Sequence, residues 1–275
     1  MKTISSVQNP LVKQAVQLQE KARTRKSSGL FVLEGRRELS LALKGGFDIT
    51  TVLVHEAICD PEEVAALWKD TGVPVPECIG ISAGVYHKLA YRDTTEGVVA
   101  IARSRRHTLD TLRLHSKNPL ILVAEAPEKP GNIGALLRTA DAANADAVII
   151  ANPRTDLYNP NIIRSSVGCV FTGNIATGTT TEVIAFLKDR NIHMYGAALT
   201  ASVPYHTVDF TGASAIVVGT EATGLSEEWL RGTDRNIVIP MEGEIDSMNV
   251  SVSAAILIFE AKRQRGFGGQ AHLNR

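Results

Sequence analysis

The sequence has little of what would anchor, staple or export a chain. No run of about 18 apolar residues occurs, so no membrane-spanning helix is expected. The opening stretch MKTISSVQNPLVKQ lacks the apolar centre of a secretory signal, which points to a soluble, cytoplasmic protein. There are only three cysteines, Cys59, Cys78 and Cys169. Odd in number, far apart and without CxxC spacing, they give no disulfide framework or zinc site and read as reduced packing residues. The histidines His55, His87, His107, His115, His193, His206 and His272 never fall at paired ligand spacing, so no metal is expected. Internal repeats and low-complexity tracts are absent, and net charge is zero, with 29 basic against 29 acidic residues.

What is present is ordinary globular composition: 44% hydrophobic and 21% charged residues over 275 positions, enough for one large or two medium domains. The zero net charge hides an asymmetry. Residues 1–118 hold 17 Lys and Arg against 13 Asp and Glu, and the remainder holds 12 against 16. The first 37 residues are more lopsided, with Lys2, Lys13, Lys21, Arg23, Arg25, Lys26, Arg36 and Arg37 opposed only by Glu20 and Glu34. A basic end of this kind suits a polyanion, with Arg23, Arg25, Lys26, Arg36 and Arg37 as the candidate contacts; a solvated helix face is the plain alternative.

Residues 4–27 look helical, starting near Asn9-Pro10 and stopping at Ser27-Ser28-Gly29. LFVLEG, RRELSLALKGG, ITTVLVHE, PEEVAALWKDTG and GVVAIARS then alternate as a small β/α unit. RSRRHTLDTLRLHSKNP is charged and poor in bulky apolar clusters, so residues 105–118 read as a linker between domains at 1–104 and 119–275. In the second domain apolar strands alternate with helices of about 10–15 residues, which implies a mostly parallel sheet covered on both faces. Ligands of such sheets lie beyond the carboxyl ends of the strands.

Three strand-end loops carry the glycines and polar groups: PGNIGALLRTA with Asn132 and Arg138, VVGTEATGLS with Gly219, Glu221 and Gly224, and IPMEGEIDSMNVSVSAA. In the third, Ser247, Asn249, Ser251 and Ser253 alternate with Met248, Val250 and Val252, a strand-like period of two just before an apolar helix. Neither a Gly-x-Gly-x-x-Gly fingerprint nor a Walker loop is present, which argues against ordinary dinucleotide and nucleoside-triphosphate sites.

Taken in order, the three loops resemble the motifs of the SpoU, or TrmH-like, branch of the SPOUT RNA methyltransferases: NIGALLRTA, GTEATGLS and IPMEGEIDSMNVSVSAA. FVLEGRRELSLAL and TTEGVVAIARS resemble the family's small α/β substrate-binding domain, of the kind found in ribosomal proteins that bind kinked RNA. The resemblance implies an α/β parallel-sheet domain with a deep trefoil knot, an exception to the rule against knots, behind a small N-terminal RNA-binding domain. It implies S-adenosylmethionine in the knot against Leu199, Thr200, Gly219, Glu221, Gly224, Ile239, Met241, Met248 and Val250, with DSMNVSVS as the tucked segment. It also implies a homodimer. Lys129 stands where relatives often carry Asp or Asn, and Glu96 where Gln is common.

The reaction implied is methyl transfer to a ribose 2′-hydroxyl of structured RNA, ribosomal RNA first and transfer RNA second. The resemblance places Arg138, Asn132, Glu221, Ser247 and Asn249 around the reacting groups. A free guanidinium is a poor base, so Arg138 is either an unusually perturbed base or a clamp on the neighbouring phosphate; pairing with Asp141 on its own helix is the structural alternative. Glu221 could instead cap the helix that follows. A non-catalytic RNA-binding factor with the same fold is the rival reading.

Overall fold

The computed structural model describes residues 2–69, 71–91, 96–245 and 247–267. His272 lies outside the described residues, as do Thr94 and Thr95 of TTEGVVAIARS. Among the described residues no helix is long and apolar enough to cross a membrane. The chain divides into two compact units: the residues up to Arg106 together with Thr155–Thr172, and His107–Arg154 together with the residues from Gly173 onward. The segment Thr155–Thr172, which the sequence places within 119–275, is part of the first unit.

In the first unit β1 (Thr3–Ile4), β2 (Leu30–Glu34), β3 (Ile49–Val54), β4 (Cys78–Ile81) and β5 (Val98–Arg103) form a sheet in the order β1-β4-β3-β5-β2. β5 runs antiparallel to β2 and β3, and the other pairs are parallel. Helices α1 (Pro10–Glu20), α2 (Ala22–Ser28), α3 (Arg36–Lys44), α4 (Pro61–Ala65) and α5 (Ala83–Leu89) belong to it. The helix expected across residues 4–27 begins at Pro10, because the Asn9 side chain accepts from the Leu11 amide. It breaks at Lys21, whose backbone is extended, and α2 ends at Gly29 in the left-handed conformation that suits glycine. Between β7 (Ala147–Ala151) and β8 (Ile175–Gly178) of the other unit the chain supplies α7 (Pro160–Ser165) and α8 (Cys169–Thr172) to this first unit. There Phe31 stacks on Tyr158 at 4.3 Å and on Phe171 at 5.7 Å, and burial pushes the Tyr158 hydroxyl up to about 12.

Arg25 corrects a reading made from the sequence. It is 5% exposed and its guanidinium holds both carboxylate oxygens of Asp156, at 2.9 and 2.7 Å, and the carbonyls of Leu18 and Gln19. A buried arginine with four of its five N–H donors committed is not presented to an RNA phosphate, and removing one partner of such a pair costs about 3–5 kcal/mol. Its role is to fasten the Thr155–Thr172 segment to α2.

In the second unit β6 (Leu120–Glu125), β7 (Ala147–Ala151), β8 (Ile175–Gly178), β9 (His193–Ala197), β10 (Ser202–Pro204), β11 (Ser214–Val218) and β12 (Arg235–Val238) form a sheet in the order β10-β12-β9-β11-β6-β7-β8, every pair parallel. β6, β7 and β11 are buried along their whole lengths, as largely apolar strands covered on both faces should be. Helices α6 (Pro130–Ala142), α9 (Thr180–Lys188), α10 (Glu227–Gly232) and α11 (Val250–Gln264) complete it. The strand order reverses between β6 and β11, which makes that crevice the topological switch point.

The alternation in NVSVS does not make a strand. Asn249 accepts from the Ser251 amide at 3.0 Å as the N-cap of α11, so Val250 to Ser253 form its first turn. A capping hydrogen bond outweighs a four-residue pattern.

Candidate functional site

The loop after β11 is built on close backbone approach. A Cβ at Gly219 would lie 2.2 Å from the carbonyl carbon of Gly224, so only glycine fits there. Thr220 and Gly224 exchange backbone hydrogen bonds at 3.0 and 3.1 Å, and Gly224 has φ +67°. This folds Thr220–Gly224 back on itself and puts Glu221 at its tip.

Glu221 gathers the three loops. Its Oε1 accepts from Asn132 Nδ2 at 2.7 Å and from Asn249 Nδ2 at 2.7 Å, and its Oε2 takes the Lys129 ammonium. Asn249 Nδ2 also donates to Asn132 Oδ1 at 3.3 Å, while Asn249 Oδ1 accepts from Ser251. Thus Lys129 and Asn132 at the start of α6, Glu221 after β11 and Asn249 at the start of α11 form one network. Sequence reasoning noted Lys129 only as a departure from relatives; its position just ahead of Pro130, at the N-cap of α6, brings it to Glu221.

The Glu221 carboxyl is held below its ordinary value, first by the hydrogen bond from Lys129 and then by that from Asn132. A lowered pKa means that the carboxylate form makes the contacts, so their stabilisation is complete above the unfolded value of 4.5 and fades as pH falls through the lower folded value. A Glu221→Gln variant should therefore melt about 2–4 °C below the parent at neutral pH, and the gap should close below pH 4.5. A gap that already closes near about pH 6 would place the titration on a histidine instead.

Beside the network, beyond β9, β11 and β12, lies a cavity of about 520 Å³. Leu199, Thr200, Gly219, Glu221, Gly224, Ile239, Met241, Met248 and Val250, the nine residues expected to hold a cofactor, all line it, and Ser247 does too. Ser253 and Leu257, missed from the sequence, line it as well. They lie three and seven positions after Val250, and that helical spacing would have found them. The walls join apolar side chains to open strand-end backbone, a combination that suits an adenosine. Arg138 does not line the cavity. It is exposed on α6 and, among the described residues, its side chain makes no hydrogen bond or ion pair, with Asp141 or any other group. In the first unit Arg23, Lys26 and Arg37 are exposed, and Arg36 pairs with Glu63 at 2.6 Å.

A parallel sheet with a ligand-sized cavity past its carboxyl ends, roofed by a doubled-back loop, defines a cofactor-binding α/β protein. The chain belongs to the SpoU rRNA Methylase family, which matches residues 119–259. Residues 9–100 match the MRM3-like substrate binding domain. The chain is 29% identical to the 23S rRNA (guanosine(2553)-2'-O)-methyltransferase RlmP of Bacillus subtilis, over 95% of this chain and 100% of the relative. A crystal structure of an RNA 2'-O ribose methyltransferase is 39% identical, covering 96% of this chain and 99% of its own, with a TM-score of 0.82. The SpoU methyltransferase AviRb of Streptomyces viridochromogenes, solved in complex with AdoMet, is 27% identical over 95% and 100% of the two chains, with a TM-score of 0.84.

Proposed function

We propose that the protein is a cytoplasmic, S-adenosylmethionine-dependent methyltransferase that modifies a ribose 2′-hydroxyl in ribosomal RNA. The observation that carries this reading is the convergence of all three motif loops on one network, beside a cavity with the nine expected cofactor residues on its walls. The names of the relatives support the reaction and the RNA class. S-adenosylmethionine, when bound, supplies an electrophilic methyl group on a sulfonium.

The chain's own residues do the rest. The cavity holds the adenosine between Met241, Met248 and the backbone near Leu199 and Gly219. Asn132, Glu221 and Asn249 lock the three loops, with Ser247, so that the methyl group and the incoming oxygen stay in line. Arg138, exposed and without a partner among the described residues, clamps the phosphate beside the target ribose at two points, and that phosphate or a water takes the hydroxyl proton. The hold of Asn249, just ahead of α11, on Glu221 in the loop after β11 supports the trefoil knot of the SPOUT fold, with the chain ahead of α11 as the tucked segment. Residues 1–104 with Thr155–Thr172 serve as the RNA-binding module and the rest of 119–275 as the methyltransferase.

The test uses ribosomal RNA from cells lacking the gene. Methyl incorporation at one 2′-position, with cofactor binding by calorimetry, supports the enzyme; cofactor and RNA binding without incorporation would select the non-catalytic factor. Incorporation into transfer RNA alone would move the substrate.

The basic face of the first unit gives a separate expectation. Neutralising Arg23, Lys26 and Arg37, all exposed, should reduce the slope of log affinity for RNA against log salt by about two to three and leave cofactor affinity unchanged. An unaltered slope would make these charges a solvated face only.

A further inference from the structure

On the other side of the Thr220–Gly224 loop, past the carboxyl ends of β6, β7 and β8, lies a second cavity of about 750 Å³ that shares only Thr220, Thr223 and Gly224 with the first. Its wall includes Glu125, a carboxylate 5% exposed. A buried carboxylate is costly to keep unless something holds it. Here Oε2 accepts from the Ser226 amide at 2.8 Å and Oε1 from the Thr180 hydroxyl at 3.4 Å. Thr180 Oγ1 is itself fixed by Asn152 Nδ2 at 2.8 Å and Trp229 Nε1 at 3.1 Å. A carboxylate has room for about four donors, so acceptor capacity is left over.

Two further features belong to the same cavity. Ala126 and Asn152, the residues following β6 and β7, line it with φ of 42° and 49°. Alanine in the left-handed region is strained, and such strain gathers at ligand sites. Arg154 on the wall is exposed and, among the described residues, makes no hydrogen bond or ion pair. A second carboxylate on the wall, Glu182, gives one oxygen to Thr179 and has the other without a partner among the described residues. A cation at the mouth with surplus acceptors inside fits a ligand that carries a phosphate and an edge of N–H donors.

We propose that this second cavity takes the guanine base of an RNA nucleotide, its N1–H and N2–H edge on Glu125 and its phosphate on Arg154. Of the four bases, guanine alone offers two adjacent donors on its Watson–Crick edge, the edge by which unstacked RNA bases are read. The proposal rests on the methyltransferase reading, since the shared Thr220–Gly224 wall would then set the bound nucleotide next to the cofactor cavity.

The test is direct binding to the full chain with the first cavity filled by S-adenosylhomocysteine, read by saturation-transfer NMR with the 5′-monophosphates of guanosine, inosine, adenosine, uridine and cytidine. Guanosine monophosphate should bind about tenfold more tightly than the adenosine, uridine and cytidine monophosphates, a difference of about 1.4 kcal/mol. Inosine monophosphate, which lacks the N2 amine, should fall between. Glu125→Gln should abolish the preference, and Arg154→Ala should weaken all five about equally. Because Glu125 also caps the turn at Ser226, the inosine comparison tests the acceptor edge without any mutation. Equal binding of all five, inosine matching guanosine, or no effect of Arg154→Ala would overturn the proposal. Binding is read without turnover, so the two ideas fail separately. A protein that binds guanosine monophosphate but methylates no RNA sinks only the proposed function, and one that methylates RNA without reading guanine sinks only this site.

Discussion

Arg138→Ala should lose methyl transfer by about a hundredfold or more while cofactor affinity stays within about twofold of the parent. The separation follows from placement. Arg138 sits on α6, the helix whose start supplies Lys129 and Asn132 to the Glu221 network, yet it does not line the cofactor cavity. No ion pair among the described residues occupies it, so the guanidinium is available to RNA. Single-turnover rates with saturating RNA and calorimetry with cofactor alone measure the two halves. Arg138→Lys should recover little, because an ammonium is a point charge and cannot reproduce a planar two-point contact with phosphate. Parallel loss of rate and cofactor affinity would instead make Arg138 part of the cofactor site.

The parts of the molecule legible in the sequence are those fixed by patterns the chain carries locally. β6, β7 and β11 are apolar but for Glu125 and Ser214 at their ends, and those apolar runs made the parallel sheet readable. The cofactor cavity was readable for another reason: the resemblance of the three loops to the SpoU motifs implied its nine residues. Long-range pairing was not legible. Arg25 carries the same local signal as Arg23 and Lys26, and only Asp156, 131 positions away, turns it from a surface charge into a buried tie. The second cavity escaped for the same reason, since Glu125, Asn152, Thr180 and Ser226 come from four separate elements and only Ser226, at the end of GTEATGLS, stands in a motif. Short edge strands such as β1 and β10, of two and three residues, carry too few positions to show a period.

Replacing Ile256 or Phe259 with aspartate should give a monomeric protein with little or no methyl transfer. α11 has two faces. Ala254, Leu257, Ile258 and Ala261 are buried, whereas Val252 is 47% and Phe259 40% exposed, with the partly exposed Ile256 between them in helical spacing. This apolar stripe, on a helix that also supplies Asn249 to the Glu221 network, would be the face that a second copy of the chain covers. A two-fold arrangement lays the same stripe against itself, and a stable contact of that type buries at least about 1,200 Å² in total. Aspartate in its centre would bury unpaired charge on both copies at once. Because Val250, Ser253 and Leu257 of the same helix line the cofactor cavity, separating the copies should also weaken cofactor binding. Activity per chain of the unaltered protein should likewise fall on dilution, in step with the dimer fraction seen by sedimentation. A fully active monomer at low concentration would remove the dimer from the mechanism and require one chain to bring Arg138, the Glu221 network and the RNA together unaided.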